Sequence, residues 1–222
     1  MVFSDVAAVF FDLDGTLIDS APDMASATDQ MRLNRGLHSL PLSLYRPRAG
    51  SGARGMLDVA FQIGADDPQY EALKNEFFAN YAVCLLQRTT VFAGVPALVS
   101  QLHQNRLPWG IVTNKATRFA DPLVRSMPSL GSASVLVCGD TTPYTKPHPE
   151  PLFEAARRLN VDASRCIYVG DDHRDIVAGR AAGMKTVAAT YGYLGVEAPV
   201  SEWGADAEIN SPLALLQLLG CT

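Results

Sequence analysis

Five short apolar runs, each broken off by a polar or glycine residue, constrain this chain more than any other feature of its 222 residues. They are Val6–Phe11 before Asp12, Trp109–Val112 before Thr113-Asn114, Ser134–Cys138 before Gly139-Asp140, Cys166–Val169 before Gly170-Asp171, and Lys185–Ala189 before Thr190. Their hydrophobicity is continuous rather than alternating, the pattern of strands covered on both faces, as in a parallel sheet. Helical stretches lie between them: Pro96–Gln104, Ala116–Met127, Pro149–Leu159 and His173–Ala182, the last followed by Gly183 in a capping position. This alternation predicts a doubly wound α/β domain with its binding crevice at the carboxyl ends of the strands.

The first strand breaks the alternation, because residues 20–88 read as helices alone. Ser20 is expected to cap a helix that carries Pro22 in its first turn and runs to Arg35. Ala53–Ile63 reads as a second helix, and Pro68–Gln87 as a third with Leu73, Phe77, Tyr81 and Leu85 on one face. The expected organisation is an α/β core of residues 1–17 and 91–222, interrupted by an α-helical cap of residues 18–90. The two connections, near residues 17–20 and 88–93, would form a hinge.

Composition narrows the partners. Apolar residues make up 48% of the chain and charged residues 18%, enough for a packed core and too apolar for a disordered chain. The net charge is −5 and the longest basic run is Arg157-Arg158, so no electrostatic footprint for nucleic acid or anionic lipid is present. The N-terminal apolar run ends at Asp12, which speaks against a membrane span or ordinary signal peptide and for a cytoplasmic protein, monomeric or homodimeric. Cys84, Cys138, Cys166 and Cys221 are far apart with no C-x-x-C pairing, and Cys138 and Cys166 read as small core residues.

The chemistry concentrates at strand ends. Asp12-Leu13-Asp14-Gly15-Thr16 follows a buried strand, and a near-extended chain turns Asp12 and Asp14 to the same side. Such a pair can hold a metal, act as acid and base, or supply a nucleophile with its acid/base partner. Thr113-Asn114 offers a hydroxyl and an amide for phosphate oxygens, or a helix cap. Lys146 is a cation in a loop stiffened by Pro147 and Pro149, and Asp171, Asp172 and Asp175 form an acidic cluster suited to a hard cation.

Together these four segments resemble, in order, the motifs of the haloacid dehalogenase superfamily. The helical insertion resembles its subfamily with a C1-type cap. Lys146-Pro147-His148-Pro149-Glu150-Pro151 and Ala178-Gly179-x-x-Ala182-Gly183-Met184 are similar to phosphoglycolate phosphatase-like members. The resemblance implies a core sheet ordered 5-4-1-2-3 and a Mg²⁺-dependent phosphatase. It makes Asp12 the nucleophile, Asp14 the general acid/base, Thr113 a phosphoryl-binding hydroxyl and Lys146 the neutralising cation. Mg²⁺ would be held by Asp12, Asp171 and the main-chain carbonyl of Asp14, with Asp175 and Asp172 behind them. The presence of Asp14 argues against carbon–halogen cleavage, since the dehalogenases of this superfamily lack it; a sugar phosphomutase shares the same core.

The physics requires such a set. A phosphate dianion about 4 Å from Asp12 is opposed by roughly 4 kcal/mol per charge pair at an effective dielectric of about 20. Mg²⁺ and Lys146 together can cancel that repulsion.

Gly50-Ser51-Gly52-Ala53-Arg54-Gly55 fits a G-x-G-x-x-G pattern but follows no buried strand, so a dinucleotide site is rejected. In capped relatives a loop here reads the leaving group, which makes Gly52 and Arg54 substrate-binding candidates beside Asn114, Arg54 for a carboxylate. His148 is expected to order its loop. The resemblance implies a small phosphate ester as substrate, with 2-phosphoglycolate the first expectation and N-acetylmuramic acid 6-phosphate the alternative, because Gly52-Ala53-Arg54 and Tyr191-Gly192-Tyr193 also resemble phosphatases of the latter.

Overall fold

The computed structural model describes residues 2–221. Six parallel strands form the core sheet: β1 (Ala8–Phe11), β4 (Trp109–Val112), β5 (Val135–Val137), β6 (Cys166–Gly170), β7 (Lys185–Ala189) and β8 (Ala207–Ile209). Their order is β5-β4-β1-β6-β7-β8. Numbered within this sheet alone, that is the expected 5-4-1-2-3 arrangement with one more strand, β8, beyond β7. The register places Val9 beside both Trp109 and Ile167, so β1 is central.

Continuous hydrophobicity has its explanation in the layers. Val9 and Phe11 pack on one face with Val95, Leu98 and Leu102 of α5 (Val95–Gln104) and Ala120 and Leu123 of α6 (Thr117–Ser126). Ala8 and Phe10 face the other way, onto Leu152 and Ala155 of α7 (Glu150–Leu159) and Ala178 of α8 (His173–Ala181). Both faces are buried, so no position on β1 has reason to be polar.

The insertion supplies most of a second apolar cluster, which Phe119 and Tyr193 join from outside it. The cluster combines Met24 and Met31 of α1 (Ala21–Leu33), Tyr45 of α2 (Leu42–Tyr45), Met56 and Leu57 of α3 (Gly52–Phe61), and Leu73, Phe77 and Tyr81 of α4 (Tyr70–Cys84). Its entry and exit strands, β2 (Ile18–Asp19) and β3 (Thr90–Val91), pair with each other as a two-residue antiparallel ribbon. Beside that ribbon Asp23 is fully buried and accepts from Arg88 N–H at 2.8 Å, Thr89 N–H at 3.0 Å and Thr89 Oγ1 at 2.6 Å. Asp23→Ala orphans two main-chain donors, and urea denaturation is expected to register a loss of about 2–3 kcal/mol.

The expected cap of α1 is not observed. Ser20 makes no capping hydrogen bond; its hydroxyl donates instead to Asp14. The Ser20 and Ala21 N–H groups donate to Tyr193 Oη at 2.8 and 3.0 Å, a partner from the far end of the chain. Also unforeseen were β8, α9 (Ala214–Leu218) and a 3₁₀ segment over Arg46–Ser51. Cys138 and Cys166 are buried and free, and burial pushes the Cys166 thiol up to about 11. Among the described residues no helix is long and apolar enough to cross a membrane.

Candidate active site

The carboxyl ends of β1, β4 and β6 open into one cavity of about 310 Å³, which Asp12, Asp14, Thr113, Asn114, Lys146, Asp171, Asp172 and Asp175 all line. The Asp12 N–H still belongs to the sheet, donating to Val169 O at 2.9 Å. Leu13 turns into the core and is fully buried, while Asp12 and Asp14 face the cavity. Gly15 then turns the chain at φ +88°, where an added Cβ would run into the Asp171 carboxylate.

Lys146 is buried among acids. Its ammonium donates to Val112 O at 3.0 Å, Tyr168 Oη at 2.7 Å and Asp175 Oδ1 at 2.7 Å, which uses all three protons. Asp12 Oδ1 lies 2.8 Å from the same nitrogen, so four oxygens crowd one ammonium and Asp12 is held in a close ion pair with it. Burial alone would lower the pKa of Lys146; Asp12 and Asp175 outweigh it, and the pKa is raised.

Asn114 does different work from that expected. Its amide donates to Lys146 O at 2.8 Å and its carbonyl accepts from Lys146 N–H at 2.9 Å, so the side chain clamps the lysine loop instead of standing free for phosphate. Thr113 is buried and lines the cavity, its Oγ1 accepting from Lys115 N–H at 3.1 Å. His148 stacks on Tyr144 with centroids 4.2 Å apart, and its Nδ1 accepts from Glu150 N–H at 3.1 Å, which orders the loop.

Carboxylate oxygens of Asp12, Asp171 and Asp175 lie within 4.8 Å of one another. Asp171 accepts from Thr16 Oγ1 at 2.8 Å and from Tyr193 N–H at 2.8 Å. Burial, then Asp12 and Asp175, raise its pKa well above the ordinary value. Burial likewise lifts Asp175 to about 7, against the pull of Lys146. An all-oxygen donor set with surplus buried negative charge fits a hard divalent cation. Asp172 stands apart from that trio: it caps α8 through Arg174 N–H at 2.9 Å and grips the Arg174 guanidinium at 2.7 and 2.8 Å. Arg174 in turn donates to Gly50 O at 2.7 Å, tying α8 to the insertion.

Two features escaped sequence reasoning. Lys115 Nζ sits 3.0 Å from Asp14 Oδ2, and Ser20 donates to the other Asp14 oxygen, so the second aspartate is held from two sides. The alternation argument that paired Asp12 with Asp14 would equally have paired Thr113 with Lys115. Tyr81 packs its ring against the Lys115 ammonium, 4.9 Å from the centroid. Over these groups the insertion supplies Met24, Gly52, Arg54, Phe77 and Phe78, and Phe119 closes the wall from α6. Arg54 is exposed at the cavity rim and makes no ion pair among the described residues.

Residues 6–183 match the family model described as haloacid dehalogenase-like hydrolase. The chain belongs to that family. This hydrolase is 46% identical over 206 residues to a phosphoglycolate phosphatase of Xanthomonas campestris pv. campestris, covering 92% of each chain. It is 40% identical over 212 residues to an N-acetylmuramic acid 6-phosphate phosphatase of Pseudomonas aeruginosa, covering 96% of this hydrolase and 94% of that one. Among solved structures, a predicted phosphoglycolate phosphatase from Haemophilus somnus superposes with a TM-score of 0.85 at 24% identity, over 97% of this hydrolase and 99% of that chain. That last likeness concerns the fold.

Proposed function

We propose that this hydrolase cleaves small phosphate monoesters in two in-line steps, through a phosphoryl group carried on Asp12. The observation that supports the reading best is the Asp12 carboxylate at the end of β1, facing the cavity with one oxygen 2.8 Å from the Lys146 ammonium. In the first step Asp12 attacks phosphorus, the bond to the ester oxygen breaks, and Asp14 supplies the proton that the leaving alkoxide takes up. In the second, Asp14 takes a proton from water as that water attacks the same phosphorus, which frees Asp12 and inorganic phosphate. Lys146 offsets the charge on Asp12, and Thr113 holds a phosphoryl oxygen. Asp12, Asp171 and the main-chain carbonyl of Asp14 would hold Mg²⁺, backed by Asp175; when bound, the ion spreads the charge of the phosphoryl oxygens. Residues 18–90 act as a cap over a core made of residues 1–17 and 91–222, a division supported by the second apolar cluster and the β2–β3 ribbon.

The relatives' names offer two substrates, 2-phosphoglycolate and N-acetylmuramic acid 6-phosphate. The first is our leading choice. The second gains weight from the cavity of about 310 Å³ with its aromatic wall, which leaves room beyond a two-carbon ester. Phosphate release from both esters, measured without a bisphosphate primer, is the test. Chelation of divalent ions is expected to cut the rate by at least about a hundredfold, and added Mg²⁺ to restore it. Full activity in excess chelator contradicts the proposal.

A further inference from the structure

Tyr81 is the least explained group at the site. It is 2% exposed, lines the cavity, and its hydroxyl proton has no acceptor among the described residues. A core tyrosine with no use for its oxygen would be better replaced by phenylalanine, because a buried hydroxyl without a partner is unfavourable. The ring needs no such help. It stacks on Phe77 with centroids 5.8 Å apart and parallel planes, and meets Phe119 at 5.2 Å. The hydroxyl is the part left over.

Its neighbours say what would satisfy it. The Lys115 ammonium lies against the Tyr81 ring, is close enough to donate to its hydroxyl oxygen, and forms an ion pair with Asp14. Burial raises the Tyr81 phenol to about 12 against the opposing pull of Lys115, so it stays a donor at neutral pH. Phenol and ammonium therefore converge as two donors beside Asp14, the group that serves the ester oxygen. An acceptor placed between them belongs to the alcohol part of the substrate, a few atoms beyond that oxygen. The walls around it are aromatic: Phe77, Phe78 and Phe119 offer no competing polar group.

Resting on the phosphatase reading above, we infer that Tyr81 and Lys115 form the subsite that recognises a carboxylate on the leaving group, close to the ester carbon. A carboxylate accepts from both donors at once and supplies the negative charge that Lys115, shared with Asp14, lacks. Tyr81 is thus a specificity-determining residue on the insertion. It lies on α4, away from the Gly52–Arg54 segment at the start of α3.

Tyr81→Phe removes one oxygen and keeps the ring. The experiment compares kcat/KM for 2-phosphoglycolate, N-acetylmuramic acid 6-phosphate and p-nitrophenyl phosphate, which has no carboxylate, in wild type and variant. The preference for 2-phosphoglycolate, whose carboxylate sits on the ester carbon, over p-nitrophenyl phosphate is expected to fall about tenfold to a hundredfold in the variant, mainly through KM, while N-acetylmuramic acid 6-phosphate, whose carboxylate is remote from the ester carbon, is less affected. The Tm without substrate is expected to hold or rise, because a buried hydroxyl proton without an acceptor is gone; a purely structural tyrosine would lower it. An unchanged preference overturns the inference, as does a wild type that hydrolyses p-nitrophenyl phosphate or N-acetylmuramic acid 6-phosphate but not 2-phosphoglycolate. A wild type inactive on all three esters with Mg²⁺ present overturns the phosphatase reading itself.

Discussion

Asp12→Asn is expected to lower kcat by about four orders of magnitude or more while leaving the fold intact. Asparagine has the same shape, so the β1 terminus and its N–H bond to Val169 O are undisturbed. What disappears is the carboxylate charge, and with it the nucleophilic oxygen, 2.8 Å from the Lys146 ammonium. Stability should not suffer, because Asp12 adds its charge to an already crowded acidic group: it is the largest charge contribution holding the Asp171 pKa up, after burial. Phosphate release at saturating Mg²⁺ and thermal unfolding of the same preparation check both halves. Activity within tenfold of wild type would defeat the nucleophile assignment.

Lys146→Met is expected to act in the opposite way on stability. Lys146 is the cation in contact with both Asp12 and Asp175, and its side chain is 2% exposed. Methionine fills similar space but leaves these carboxylates buried without their counter-charge, while Val112 O and Tyr168 Oη keep their own hydrogen bond at 2.7 Å. Breaking a buried pair from one side costs about 3–5 kcal/mol. Urea denaturation without divalent ions should show a loss of that order, together with loss of turnover. Part of the lost stability should return on adding Mg²⁺, which binds the native state and substitutes positive charge. A midpoint equal to wild type would mean that the acids around Lys146 are not ionised together.

The core was legible in the chain because its strands are buried on both faces. A run such as Trp109–Val112 has no solvent side to interrupt it, and its observed limits match those read from composition alone. β8 escaped for the converse reason: as an edge strand of three residues, only Ile209 of which is buried, it carries a weak signal. Ser20 shows where local rules stop. Serine before an Ala-Pro helix start reads as a cap, but Asp14 lies close enough to capture the hydroxyl, and Tyr193 satisfies the helix end from 173 residues away. No local window contains that contact.

The site divides along the same line. Motifs that leave a strand end, such as Asp12/Asp14 and Gly170-Asp171, could be placed because strand geometry fixes which way alternate residues point. Roles set by side-chain competition could not. Asn114 was free on paper for a ligand, yet both ends of its amide are taken by the Lys146 main chain. Lys115, which no motif singled out, has a side chain only 7% exposed and lies 3.0 Å from Asp14 Oδ2. Tyr81 looked like one rung of an apolar helix stripe; its ring is that, and its hydroxyl is not.

Everything in the catalytic reading turns on whether phosphorus visits Asp12 before it meets water. The stereochemical course at phosphorus measures this directly, whether or not the phosphorylated protein accumulates. A phosphorothioate ester made chiral at phosphorus with two oxygen isotopes, and hydrolysed in water carrying the third, should yield inorganic thiophosphate with its configuration retained, because two in-line displacements each invert it. Inversion would mean a single direct attack by water, and Asp12 would lose its role as nucleophile.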